Sequence, residues 1–171
     1  MVPAATTLAF EDFVEARGAA LLRTAWFLTG DHQKAEDLVQ TALAKAWLHW
    51  GSIDRDGTGS HVAYVRRVMV TTYAAWWRRR WNAEQPYAVL PDSAAWRDDD
   101  TDLRHDVLAA LARLPRGQRA VVVLRYFDDL TEAQTAQVLD CSVGTVKSQT
   151  ARALAVLRRS PLLADEGASH V

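Results

Sequence analysis

Only one cysteine, Cys141, occurs in the 171 residues. That excludes a disulfide framework and a zinc site built on cysteine pairs, and it fits a reducing compartment. No stretch approaches the ~18 consecutive apolar residues that a membrane-spanning helix needs. The N-terminus lacks a basic segment followed by an apolar run, so no secretory signal is expected and the chain is placed in the cytoplasm. The five histidines, His32, His49, His61, His105 and His170, are scattered. None pairs with another at metal-ligand spacing, and neither an HExxH motif nor a glycine-rich phosphate loop is present. Strand-like alternation is scarce. No metal, no cofactor and no catalytic constellation is expected, and the chain is read as a non-enzyme.

What is present is helical periodicity, an uneven charge and seven tryptophans. Tryptophan combines a large apolar ring with a polar N–H and is often placed at interfaces. The formal net charge is only −1, so the overall balance does not announce a nucleic-acid partner. The distribution says more. Residues 84–106 hold seven acids against Arg97 and Arg104, a net of −5, whereas residues 107–160 hold eight bases and four acids, a net of +4. Residues 1–83 come to +2, with Arg78, Arg79 and Arg80 concentrated at one end. An acidic tether thus separates two basic ends.

Apolar residues recur at steps of three and four along nearly the whole chain, which predicts an all-α fold. One helix is expected from about Leu8 to Leu28, ended by Thr29-Gly30-Asp31. A second runs from about His32 to Trp50 and a third from about His61 to Trp81. Between them, residues 51–60 are rich in glycine, aspartate and serine, which is loop chemistry. Residues 82–100, with Pro86, Pro91 and the run Asp98-Asp99-Asp100, read as a linker. A fourth helix is expected from about Thr101 to Arg113. A fifth follows, with Pro115 at its first position and its end near Tyr126. Thr131 and Gln134 form a capping-box pattern that opens a sixth, ending near Leu139. Ser142 caps a seventh that runs to about Arg159.

Three stretches carry function. Thr131 to Leu154 reads as a helix-turn-helix. Ala133, Ala136, Val138 and Leu139 suit the inside of its first helix, and Val143, Val146, Ala153 and Leu154 the inside of its second. That leaves Gly144, Thr145, Lys147, Ser148, Gln149, Ala151 and Arg152 as a small, hydrogen-bonding, cationic face able to enter a major groove. A solvated amphipathic helix pair is the plainer alternative. Cys141, in the turn, is read as a small apolar packing residue. In Ala63–Trp81, aromatics and cations interleave: Tyr73, Trp77 and Arg80 lie on one stripe, with Arg66 on a neighbouring face. Such platforms suit single-stranded bases and phosphates. The alternative makes Tyr64, Val68 and Trp76 core and the arginines a solvated helix end. In Ala35–Trp47, Leu38, Ala42 and Trp47 look inward, while Glu36, Asp37, Gln40 and Thr41 project to solvent or to a protein partner.

These stretches, in this order, resemble the extracytoplasmic-function (ECF) group of the sigma-70 family. "A-E-D-L-V-Q" at 35–40 is similar to the part of sigma region 2 that binds the β′ clamp helices of RNA polymerase. "A-Y-V-R-R-V-M-V-T-T-Y-A-A-W-W-R-R-R" at 63–80 resembles the promoter −10 helix of the SigE-like actinobacterial branch. "L-P-x-x-Q-R-x-V-V-x-L-R-Y" at 114–126, followed by "C-S-V-G-T-V-K-S" at 141–148, resembles region 4, which reads the −35 element.

The resemblance implies two small helical domains: region 2 over residues 8–82 and region 4 over 105–160, joined by an acidic linker at 83–104. It implies core-polymerase contacts at Glu36, Asp37, Leu38, Gln40 and Thr41. Contacts to the −10 region fall on Arg55, His61, Arg66, Arg67, Thr71, Tyr73, Trp77, Arg78 and Arg80, with an unpaired base captured by the 51–61 loop and the following helix. Contacts to the −35 element fall on Ser142, Val143, Gly144, Thr145, Lys147, Ser148, Gln149 and Arg152. The implied partners are the polymerase core (β′ clamp helices and β flap), double-stranded and melted promoter DNA, and an anti-sigma factor. The acid run at 98–100 is expected to imitate nucleic acid near the RNA-exit path.

The sequence departs from many relatives at four places. Thr71 stands where they carry Asn, Asp140 where they carry Gly, and Gln149 and Ala151 where they carry Arg and His. Asp140 is expected to alter the turn, because glycine enters positive φ freely and aspartate only tolerates it. The other three are expected to shift promoter preference. Two competing readings are a stand-alone helix-turn-helix regulator and a sigma-like chain that only titrates an anti-sigma factor.

Overall fold

The computed structural model describes residues 4–53, 60–81 and 101–160. Every regular element in them is helical, and the chain divides into two compact units, 1–88 and 89–171. Arg55 and the expected linker up to residue 100, with its acid run, lie outside the described residues, as do the side chains of Trp77, Arg78 and Arg80.

The first unit is built from α1 (Ala4–Thr29), α2 (His32–His49) and α3 (His61–Trp81). Gly30 ends α1 in the left-handed region, at φ 70°, and its N–H donates to the Trp26 carbonyl. Asp31 then caps α2, accepting the N–H of Lys34 at 2.9 Å. Side-chain capping and a glycine C-cap thus turn the chain between two long helices within two residues. On α2 the inward residues are Ala35, Leu38, Val39, Ala42 and Ala46. The three alanines are fully buried and keep the α2 backbone close to its neighbours. Leu28, Ile53, Val65 and Met69 complete the interior, each contributing about 1.5–3 kcal/mol by burial.

At the other end of this unit an aromatic cluster joins all three helices. Phe10 meets Trp47 and Trp50 edge-on at centroid distances of 4.9 and 4.8 Å, and Phe13 meets Trp50 at 4.9 Å. Lys45 donates to the Thr72 hydroxyl at 3.2 Å, a further tie between α2 and α3. On α3 the inward line is Val65, Met69, Thr72 and Tyr73. Tyr64, Val68 and Trp76, the core positions of the alternative reading, are only half-buried. The inward direction of α3 is one residue away from the sequence-based expectation.

The second unit contains α4 (Thr101–Ala112), α5 (Arg116–Val122), α6 (Glu132–Leu139) and α7 (Val143–Arg158). Pro115 occupies the cap of α5 rather than its first turn. Arg119 reaches back from α5 to the end of α4 and donates to the carbonyls of Leu111 (2.8 Å), Ala112 (3.1 Å) and Leu114 (3.4 Å). The Leu111 carbonyl also accepts the Leu114 N–H at 3.0 Å, so the end of α4 is closed by backbone and side chain together. The expected single helix from Pro115 to Tyr126 instead widens into a π-helical turn at Val123–Phe127. Val121 to Leu124 are all buried, so the segment runs through the interior of the unit rather than along one face.

The helix-turn-helix follows. Thr131 and Gln134 make the full reciprocal capping box of α6. The turn after α6 is a Schellman motif: Cys141 N–H donates to the Ala136 carbonyl and Asp140 N–H to that of Gln137. Asp140 adopts φ 54° and ψ 49°. The left-handed turn is therefore kept with aspartate in place of glycine, contrary to the expected change of geometry, because the motif's two hydrogen bonds require it. Cys141 fills the apolar position that follows, packed with Leu139 against Val121, Ala136 and Val146. Burial, and then the neighbouring Asp140 carboxylate, raise its thiol pKa above the ordinary value.

Ala133, expected inside α6, is exposed, and Thr135 is fully buried in its place. The two differ by about 200° around the helix, so burying Thr135 turns Ala133 outward. The Thr135 hydroxyl has no hydrogen-bond partner.

Two outcomes follow. Thr135→Val removes an unsatisfied buried hydroxyl at nearly constant shape and raises the thermal stability of the full chain by about 1 kcal/mol, read by circular dichroism. Alkylation of Cys141 by iodoacetamide is slow at pH 8, since the thiolate is the nucleophile. It becomes faster in Asp140→Asn, which removes a charge that holds the proton on.

Candidate promoter and polymerase interfaces

Helix α7 is placed by packing on α5 and α6. Ser142 caps it, with Oγ accepting the Thr145 N–H at 3.1 Å. Val146 and Ala153, seven residues apart, are its fully buried residues. They define one inward line, and Val143, about 60° off it, is exposed rather than inside. Gly144, Thr145, Lys147, Ser148, Ala151 and Arg152 are exposed, and Gln149 is half-buried. The structure thus gathers the expected −35 residues on the outer side of one helix.

Most of the polar groups on that side are already engaged. The hydroxyls of Ser142 and Thr145 share a hydrogen bond at 2.9 Å, and Ser148 Oγ donates to the Thr145 carbonyl at 3.0 Å. Lys147 Nζ lies 3.8 Å from a Glu132 carboxylate oxygen. Glu132 has no counterpart in the sequence-based site. The capping box puts it at the start of α6, but its approach to Lys147 is a tertiary fact.

On α2, Glu36, Asp37 and Gln40 are exposed and Thr41 is half-buried. Asp37, Thr41, Ala44 and Leu48 follow one another at steps of four, three and four, which keeps them on one stripe. His32 Nδ1 lies 3.4 Å from a Glu36 carboxylate oxygen one turn away. Leu38, expected among the polymerase contacts, is fully buried. It belongs to the core and acts on this face only by fixing the helix beneath it.

On α3, Arg67 and Thr71 are exposed one turn apart, and Arg66 is half-buried. The Thr71 hydroxyl turns back on its own helix, donating to the carbonyls of Arg67 (2.9 Å) and Val68 (3.1 Å). What it offers outward is chiefly its methyl group. Tyr73 is only 3% exposed, so the expected base platform is a core residue. It shares the inward line of Val65 and Met69, which the aromatic-cation pattern alone did not reveal. His61, half-buried at the start of α3, stacks on Trp50 at a centroid distance of 4.1 Å, and its Nε2 lies 3.3 Å from the Trp50 carbonyl oxygen. Its ring is thus engaged by the end of α2, and Trp50 is a support that sequence reasoning missed.

No helix among the described residues is long and apolar enough to cross a membrane, and they contain no cluster of metal-ligating side chains.

Comparison with known proteins agrees with this geometry. Residues 13–83 match the family model "Sigma-70 region 2", and residues 104–157 match "Sigma-70, region 4". The chain is 43% identical over 162 residues to an RNA polymerase sigma-E factor of Streptomyces coelicolor, covering 92% of this chain and 89% of that protein. It is 33% identical over 153 residues to the ECF RNA polymerase sigma factor SigM of Mycobacterium tuberculosis, covering 88% and 76%. Among solved structures it is similar to the sigma factor RpoE from Bartonella quintana, crystallised in complex with the anti-sigma factor NepR. That match has a TM-score of 0.69 and 25% identity, over 88% of this chain and 94% of the other. With both regions matched and three quarters or more of each of these relatives covered, the chain belongs to the sigma-70 family, in its ECF group, and serves promoter-directed initiation of transcription by RNA polymerase.

Proposed function

We propose that three faces divide this work. The outward face of α2, with Glu36, Asp37, Gln40 and Thr41, docks on the β′ clamp helices of the polymerase core. The outward face of α3, with Arg66, Arg67 and Thr71 and continuing to Trp77, Arg78 and Arg80, meets the −10 element as it opens, together with Arg55 and His61. The outward face of α7, from Ser142 to Arg152, enters the −35 major groove. Region 2 then spans 8–82, the linker 83–104 and region 4 105–160, with region 4 also seated on the β flap. The chain works in the cytoplasm, catalyses nothing itself, and takes an anti-sigma factor as regulator, as the Bartonella relative does.

The observation that carries this reading is the outer side of α7. It exposes Lys147 and Arg152 beside small residues, while Val146 and Ala153 are fully buried behind it. Such a side admits close approach to base edges, where lysine and arginine find guanine acceptors. The N-terminal N–H groups of the helix are well placed for a phosphate. Gln149 and Ala151 reduce its cationic character, which supports a promoter preference unlike that of relatives with Arg and His.

The test is transcription on genomic promoter fragments by core polymerase with the full chain. Specific initiation supports the proposal. DNA binding without core supports a stand-alone regulator, and neither supports a chain that only titrates an anti-sigma factor. Asp37→Ala is expected to weaken core binding with the fold intact, and Arg152→Ala to cost roughly tenfold or more in −35-dependent initiation. Unchanged core affinity in the Asp37 variant would remove α2 as the docking face.

A second outcome separates the hydroxyl of Thr71 from its methyl. Thr71→Val leaves −10 use within about twofold, because the hydroxyl is already engaged in its own helix. Thr71→Asn places an amide outward and changes which −10 bases are preferred. Both are read by initiation rates on promoters substituted base by base.

A further inference from the structure

Glu132 and Lys147 come from the two different helices of the helix-turn-helix. Glu132 is the first residue of α6, directly after its cap Thr131, and its backbone is held by the reciprocal bonds of Thr131 and Gln134. A carboxylate there is also favoured by the positive end of the α6 dipole. Lys147 stands one turn into α7. Their charged groups approach to 3.8 Å while the side chains remain 37% and 64% exposed. Arg152, Arg158 and Arg159, the other cations of this segment, are exposed, and among the described residues none has a carboxylate at ion-pair distance. Of the two cations of the reading face, Lys147 is therefore matched by an acid and Arg152 is not.

We infer that Glu132 is a specificity-determining residue that acts through Lys147. The inference rests on the −35 role of α7 proposed above. Affinity for DNA of any sequence comes from cations neutralising phosphates and displacing counterions. With Glu132 beside it, the pair is close to neutral and contributes little to that term, while the ammonium, with three donors, can keep the carboxylate and still donate to a neutral base acceptor. Where the site presents a base-edge acceptor in reach, as guanine does in the major groove, Lys147 gains a directed hydrogen bond that a phosphate cannot match in geometry. The acid thus lowers indiscriminate binding more than correct binding. Its position on α6, rather than on the reading helix, fixes the side of α7 from which Lys147 extends.

The test uses holoenzyme formed from core polymerase and the full chain. The probes are a promoter fragment selected by the transcription assay and the same fragment with its −35 element scrambled. Binding to both is measured across a KCl series for the unaltered chain, Glu132→Gln, Lys147→Ala and the double variant. Glutamine keeps the size and polarity of the first residue of α6, and melting curves check that the fold is retained. Glu132→Gln is expected to tighten binding to the scrambled fragment roughly two- to fivefold at low salt, the range for an exposed ion pair. It is expected to steepen the salt dependence by up to about one phosphate equivalent and to lower the ratio of correct to scrambled binding. In the Lys147→Ala background these changes are expected to vanish. Equal changes with and without Lys147 would mean that Glu132 merely repels phosphate, and no change in Glu132→Gln would mean that it withholds nothing; either overturns the inference. If Lys147→Ala and Arg152→Ala both leave −35 discrimination intact, the reading of α7 itself fails, an outcome recognisable without any Glu132 variant.

Discussion

The second unit of the molecule depends on the seat of Val146. This side chain is fully buried against Val121 and Ala136, with Leu139 and Cys141 closing the edge. Four elements meet there: α5, α6, the turn after α6, and α7. Ala153, two turns on, is the other buried residue of α7. The opposite side of the helix, from Gly144 to Arg152, is exposed. Its outward side carries glycine, serine, threonine and alanine, which suit the close approach to a groove proposed above, with a few long cations for reach.

The turn before α7 shows how that seat is set. The Schellman hydrogen bonds of Cys141 and Asp140 hold Asp140 in the left-handed region, and Cys141 then drops into the apolar cluster. Aspartate tolerates this conformation better than most residues because its short polar side chain can bond locally. Ser142 follows at once as the α7 cap. A single three-residue stretch thus ends one helix, packs the junction and starts the next. The raised thiol pKa of Cys141 is a consequence of this packing beside an acid. It fits the packing role of the residue, since the nucleophilic form of a cysteine is the thiolate.

In the other half the organising feature is aromatic. Phe10, Phe13, Trp47 and Trp50 bring the beginning of α1 to the end of α2, and His61 attaches the start of α3 to the same cluster. Edge-to-face contacts of this kind add to the burial of the rings and fix their relative orientation. Both the exit from α2 and the entry to α3 are thereby anchored. The outward sides of α2 and α3 thus share one aromatic support.

Helix number, order and most ends were legible in the sequence, because they are set by local chemistry. Gly30, Asp31, Thr131 and Ser142 act on groups within four residues of themselves, and all four do what their residue types predict. The family resemblance was legible for a related reason: its motifs are contiguous stretches in a fixed order. Facing was harder. Tyr73 read as a contact residue and is buried, Leu38 read as inward and is buried although the resemblance placed it among the contacts, Ala133 and Val143 read as inward and are exposed, and Thr135 took an interior position that polarity argued against. A rotation of one residue, about 100° on a helix, decides between core and surface. Periodicity in a sequence this rich in alanine does not resolve it. The sequence by itself determined the helices, their caps and the family. Only the tertiary structure decided which side of each helix faces out, and that Glu132 meets Lys147 across fifteen residues, because both follow from how separate helices pack rather than from any one helix's own pattern.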